Sequence, residues 1–376
     1  MKQTLLLILA WASLAFELPA QEDYIIHARR YGAEEGLSHR WVTGILQDSR
    51  GFIWASTQLG LNRFDGYHFK WWTQAEGLTN NLIINIEEDA GGFIWAFSEN
   101  PDQSTSSIDL VDTRSGEVLP FSKKFPGKLP FSEKNLIACR LQDNAAGQEK
   151  TLYFGAANPG GFVTYHPKTG FRFTPLPGVR RFKPITLTAQ NTVWGIADEV
   201  NLVETDLNGN LLRRYDHAVG GEYGTVAFAG RAEEDFLLVS TSPQTPSSFL
   251  TVITRDGALQ KINFEDFFKT SWQSIYPNFL QRLPSFPLTV RNGKIIGDGS
   301  ERVVYDLAKH FPETAQGFVG DCLLDRSGIL WLGANFGLYC IEIQSNRFRR
   351  LLHNPLATKG FDITTRGLLE NNGTLR

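Results

Sequence analysis

Asp48-Ser-Arg-Gly51-Phe-Ile-Trp54 returns as Asp89-Ala-Gly-Gly92-Phe-Ile-Trp95 and again as Asp325-Arg-Ser-Gly328-Ile-Leu-Trp331. Each copy follows a short apolar run of β character, at residues 42–47, 83–88 and 318–324. The carboxylate of a turn aspartate accepts backbone N–H groups, and glycine reaches positive φ without steric cost, so the phrase reads as a β-hairpin. The tryptophan then lands on the second strand as a large packing group. A hairpin repeated at a fixed period is the mark of stacked β units.

Trp95 follows Trp54 by 41 residues, a length that suits four strands and their turns. Weaker copies fill the middle of the chain. Leu141-Gln-Asp143 leads through a longer turn to Thr151-Leu-Tyr153-Phe-Gly155, and Thr192-Val-Trp194-Gly195 follows. Asp235-Phe-Leu-Leu-Val239 and Asn292-Gly-Lys-Ile-Ile-Gly297 lack the tryptophan. With the hairpin of Trp331 these make seven, which predicts an all-β chain, a seven-bladed β-propeller of four-stranded antiparallel blades spanning residues 22–352. In the first blade the strands read, from inside outward, as 42–47, 52–57, 61–64 and 67–72, with Asp65-Gly66 turning into the last. Residues 24–31 read as an outer-type strand beside the final blade, and 264–276 as a short helix in a connection.

Composition agrees with a strand-rich globule: 27 Phe, 9 Trp and 35 Gly stand against a single Met. A formal net charge of −3 leaves no electrostatic footprint for nucleic acid or an anionic membrane. Residues 1–21 have the form of a signal peptide, with Lys2, an apolar stretch from Leu5 to Phe16 and the small-residue exit Leu18-Pro19-Ala20. The expected location is therefore periplasmic or exported. Cys139, Cys322 and Cys340 are an odd set on separate strands and read as free thiols. No Cys/His cluster has zinc-ligand spacing, so neither metal nor cofactor is expected.

The phrases Gly36-Leu-Ser, Gln47-Asp-Ser-Arg-Gly-Phe-Ile-Trp54, Thr57-Gln-Leu-Gly-Leu-Asn-Arg-Phe-Asp-Gly66 and Gly77-Leu-Thr-Asn-Asn81 resemble the two-component regulator propeller repeat. The resemblance is specific over residues 36–98 and 318–343 and rests on spacing between them. It implies the periplasmic sensor region of a bacterial hybrid two-component protein, one that responds to an extracellular ligand such as an oligosaccharide. It also implies a homodimer formed through a full-length sensor, a membrane connection through segments outside this sequence, and phosphorelay output. Glu370-Asn-Asn-Gly373 repeats the acidic-to-glycine spacing, so residues 353–376 are expected to begin a further, truncated repeat.

No nucleophile, base and orienter fall into a recognisable order, and the chain is not expected to be an enzyme. The alternatives are an exported carbohydrate-active propeller enzyme, sialidase- or lyase-like, or a passive protein-interaction scaffold. Asp48, Asp89 and Asp325 recur at the turns with Gly51, Gly92 and Gly328, which marks them as turn caps rather than catalytic carboxylates. Trp54, Trp95, Trp194 and Trp331 read as core rather than as sugar platforms. Ligand residues are sought where one blade connects to the next, because connections carry chemistry on a rigid scaffold. Those loops hold His39, Arg40 and Trp41 in the first blade, and Asn80 and Asn81 in the second. Trp71-Trp72 ends an outer strand, so at least one of the two is expected to face solvent or a partner propeller.

Overall fold

The computed structural model describes residues 24–99, 106–138, 150–187, 191–216, 225–231, 234–240, 249–253, 259–263, 281–283, 288–291, 294–297, 303–316, 319–346, 370–371 and 374–375. The expected signal peptide, Cys139, Asp143 and the expected helix at 264–276 lie outside them. Among the described residues no helix is long and apolar enough to cross a membrane.

Ile26–Glu342 forms one compact unit. After β1 (Tyr24–Tyr31), strands β2 (Val42–Gln47), β3 (Ile53–Thr57), β4 (Gly60–Phe64) and β5 (Phe69–Trp72) form a four-stranded sheet in that order. The next sheet is β6 (Ile83–Glu88), β7 (Phe93–Glu99), β8 (Ser106–Asp112) and β9 (Val118–Pro120). An eight-stranded sheet then holds β10 (Leu136–Ile137), β11 (Leu152–Ala157), β12 (Gly161–His166), β13 (Gly170–Pro175), β14 (Arg181–Leu187), β15 (Thr192–Ala197), β16 (Asn201–Asp206) and β17 (Leu211–Tyr215). It divides into two runs of four at a short antiparallel seam, where Ala156 and Ala157 of β11 face Phe182 and Arg181 of β14.

Two more four-stranded sheets follow. They are β18 (Thr225–Arg231), β19 (Glu234–Ser240), β20 (Phe249–Ile253), β21 (Leu259–Asn263), and then β22 (Gln281–Leu283), β23 (Leu288–Arg291), β24 (Lys294–Gly297), β25 (Val303–Asp306). In the last sheet β26 (Val319–Leu324), β27 (Leu330–Ala334) and β28 (Gly337–Ser345) are joined by β1, which supplies the fourth strand from the other end of the sequence. The chain is thus all-β, built of four-stranded antiparallel units in sequence order.

The core lies between consecutive units. Trp54 is wholly buried with Trp72 and with Ile83, Ile86, Ile94 and Ala96 of the second sheet. Trp95 packs forward in the same way, its ring 5.2 Å from Phe154 and 4.9 Å from Tyr165. Trp331 packs on the first sheet, 5.8 Å from Phe64, with Tyr31 of β1 stacked against it at 6.2 Å. Trp194 is buried and stacks on Tyr215. The repeats of Trp54, Trp95 and Trp331 therefore each complete the core of the sheet they pack on, and β2 lies against both β6 and β26. The three strongest repeats share a local irregularity: β2, β6 and β26 each shift register near their start, at Val42/Gly44, Ile83/Asn85 and Val319/Asp321.

Three local readings differ from the sequence expectation. Lys294–Gly297 is the third strand of its sheet, not the second, because a glycine turn marks any hairpin and only the tryptophan distinguishes the inner one. The last turn of the first sheet takes in Tyr67 and His68, whose N–H groups both donate to Asp65 Oδ1, so β5 starts at Phe69. Near the C-terminus Glu370 pairs with Leu375 and Asn371 with Thr374, a tighter register than the repeat hairpin has. Cys322 and Cys340 are half-buried thiols outside any disulfide, on β26 and β28 with β27 between them. Burial raises both thiols, Cys340 to about 11, so neither is a ready thiolate.

Candidate functional site

The conspicuous acidic residues are consumed by the fold. Asp48 Oδ1 accepts the N–H groups of Arg50 and Phe52, at 3.0 and 2.9 Å, and Oδ2 accepts Trp54 Nε1 at 2.8 Å. Asp89 treats Gly91, Phe93 and Trp95 alike, with the indole bond at 2.9 Å. Asp325 does the same for Ser327, Ile329 and Trp331. Gly51, Gly92 and Gly328 stand at φ +99, +83 and +85, the left-handed backbone the turn requires. Sequence reading assigned the cap and the packing anchor separately; the indole bond that couples them is visible only in the fold.

The predicted ligand loops lie at the opposite end of β2 from these turns, and the structure brings them together. Gln58 N–H donates to the Trp41 carbonyl at 3.3 Å, and Gly60 N–H donates to the Asn81 carbonyl at 2.7 Å. The β3–β4 turn is thereby clasped between the first loop and the second. Gly60 has φ +107, and a Cβ there would sit 2.3 Å from the Trp72 carbonyl oxygen, so this junction accepts only glycine. Arg40 lies with its guanidinium 5.5 Å from the Phe336 ring in the β27–β28 turn. The rim thus runs from the last sheet across the first to the second.

On it Trp41 is 40 % exposed and Leu59 44 % exposed, beside exposed Arg40. His39 accepts the Trp41 N–H at Nδ1, at 3.1 Å. Burial and then the Arg40 charge hold its pKa below the ordinary value, so the ring is neutral near pH 7. Asn81 Oδ1 accepts the Gln74 N–H at 2.8 Å and Asn80 Oδ1 accepts the Leu82 N–H at 3.2 Å, so both asparagines shape their loop. Of Trp71-Trp72, Trp71 is 44 % exposed and Trp72 is buried, with its Nε1 on the Gly116 carbonyl.

Beneath the rim lie polar pairs to which the repeat phrases assigned no role. Ser38 N–H donates to Asn62 Oδ1 and Asn62 Nδ2 donates to Ser38 Oγ, each at 2.8 Å. At the matching place in the second sheet Thr79 donates both N–H and Oγ1–H to fully buried Asp109, at 2.7 Å each. Burial raises the pKa of Asp109 against the lowering by those two bonds; burial and then the Asp109 charge raise Glu133 nearby. The available signal was a polar residue in an apolar third strand, Leu61-Asn62 and Ile108-Asp109-Leu110. Among the described residues no group of three acidic, His or Cys side chains is placed to hold a metal ion.

No protein-family profile matches the chain, and no curated protein matches it. Solved structures do. The extracellular domain assigned to the hybrid two-component system BT3049 of B. thetaiotaomicron aligns over 84 % of this chain at 16 % identity, with a TM-score of 0.55. The chain spans only 41 % of that domain's length. The streptogramin B lyase structure aligns over 86 % of this chain and 100 % of its own, at 13 % identity and a TM-score of 0.52. At such identities the likeness is one of architecture, and the fold of this chain is β-propeller-like.

Proposed function

We propose that this chain is the exported, ligand-sensing propeller of a two-component signal-transduction protein. In this reading the four-stranded units are the blades of one seven-bladed propeller, residues 1–21 are its signal peptide, and the output passes to phosphorelay domains of a longer protein that dimerises. The observation that carries it is the rim: Trp41 and Leu59 stand exposed beside Arg40 on loops clasped by backbone bonds to a rigid sheet. An exposed aromatic ring with a neighbouring cation suits an extracellular oligosaccharide or a ligand of similar polarity. The architectural likeness to the BT3049 extracellular domain supports the sensor class.

The likeness to streptogramin B lyase, which covers all of that enzyme's length, supports a second reading in which the same rim is a catalytic mouth. Buried Asp109 and neighbouring Glu133, both with raised pKa, would be its carboxylates. One experiment separates the two. A panel of soluble oligosaccharides is offered to the purified chain, with binding followed by intrinsic tryptophan fluorescence and product formation by chromatography. The sensor reading expects saturable binding without turnover. It also expects Trp41→Ala to weaken affinity at least about tenfold while stability changes by less than about 0.5 kcal/mol. Turnover abolished by Asp109→Asn would overturn it in favour of the enzyme.

A further inference from the structure

Arg50 in the β2–β3 turn and Arg63 on β4 converge on a single neutral acceptor. Both donate Nη1 N–H to the Thr113 carbonyl oxygen in the β8–β9 turn, at 3.0 and 3.3 Å. Phe52 lies against both guanidiniums, 5.2 Å from Arg50 and 4.7 Å from Arg63. Arg63 is also held 5.9 Å from the rings of Trp54 and Trp72. Two permanent positive charges that share one acceptor repel each other, and the arrangement is stable when an anion lies between them.

Among the described residues neither arginine has a carboxylate within ion-pair distance. The nearby acids are engaged elsewhere. Asp48 holds the turn and the Trp54 indole, Asp65 accepts the N–H groups of Tyr67 and His68, and Asp112 accepts those of Arg114 and Ser115. Lys70 adds a third cation at the same turn, its Nζ 4.9 Å from the Trp72 ring and beside Gly116. Arg63 Nε is buried without a hydrogen-bond partner. Each guanidinium offers five N–H donors in a planar fork, of which the Thr113 carbonyl takes one, and such forks match the oxygens of phosphate, sulfate and carboxylate groups.

We propose that Arg50 and Arg63, with Lys70 at their edge, form an oxyanion-binding site on the hairpin-turn side of the first two sheets. Arg63 is fixed by its aromatic bed and sets the position of the anion; exposed Arg50 closes over it. The site lies at the far end of β2 from the rim, so it stands or falls independently of the rim ligand.

The test is calorimetric titration of the purified chain with inorganic sulfate, inorganic phosphate and acetate, chloride replacing each anion to hold ionic strength constant. Saturable binding of one anion per chain is expected, and the rank of the three separates a tetrahedral dianion site from a carboxylate site. Arg50→Gln, an exposed change that leaves the aromatic bed intact, should weaken that binding at least about tenfold. Arg50→Lys should weaken it less, because the charge remains and only the fork is lost. Arg172→Gln, on β13 in another sheet, should bind as the unaltered chain does. Absence of saturable binding by all three anions, or binding unchanged in Arg50→Gln with the fold intact by circular dichroism, overturns the site.

Discussion

Asp48, Asp89 and Asp325 each place one carboxylate oxygen on two turn amides and the other on the indole of the tryptophan six residues on. The two most informative residues of the repeat are therefore one buried unit. Removing the carboxylate strands an indole N–H in a site where Trp54 has no exposure, so Asp48→Ala should cost about 3 kcal/mol, more than an exposed turn cap would. Trp54→Ala should cost about 3–5 kcal/mol through the cavity it leaves between sheets. Because each change removes the shared bond, the double variant should fall short of the sum by about 1 kcal/mol or more in a denaturant double-mutant cycle. Strict additivity would mean the bond contributes nothing.

The hairpin turns are tied to one another. Ser49, next to the Asp48 turn, donates N–H and Oγ–H to Glu88 just before the Asp89 turn, each at 2.7 Å. Arg326, at the matching place in the last sheet, donates N–H to Gln47 at 2.9 Å and Nη2–H to the Asp48 carbonyl. Burial raises the pKa of Glu88 above its ordinary 4.5, against the lowering by the two Ser49 bonds. A raised carboxyl pKa means that the folded state holds the proton more tightly than the unfolded chain. Its contribution to stability is fully present below the ordinary value and is lost as pH rises through the folded value. Chemical denaturation as a function of pH should show that decline above about 4.5 in the unaltered chain and a flatter curve in Glu88→Gln. An identical slope in the two proteins would remove Glu88 as its source.

Across the whole unit, Tyr31 links the two ends of the repeat array. It lies on β1, the fourth strand of the last sheet, and its ring is 4.9 Å from Phe64 and 5.7 Å from Phe69 of the first. Trp331 is stacked on its other side. Tyr31→Ala should therefore cost about 3 kcal/mol, and limited proteolysis should then cut first near β1 rather than inside the first two sheets. Loss of stability with unchanged cleavage sites would show that β1 is not the fastening strand.

The phrase Asp-x-x-Gly-x-x-Trp determined from sequence alone the hairpin, its turn glycine, the burial of Trp54, Trp95 and Trp331 and the four-stranded unit, because those depend on short-range geometry and a fixed period. At Lys294–Gly297, one of the repeats without the tryptophan, the strand stands one place further along its sheet than expected, since a glycine turn does not say which hairpin it closes. The rim was legible as loops but not as a surface. Leu59 and Phe336 carry no motif, and they join Arg40 and Trp41 only because backbone bonds and ring contacts draw turns from different repeats together. The convergence of Arg50 and Arg63 on Thr113 was likewise decided by the tertiary structure. Residues 50 and 113 lie on separate repeats, and the packing of Trp54 and Trp72 against the second sheet, with the Trp72 indole bond to the Gly116 carbonyl, brings their turns within one hydrogen bond.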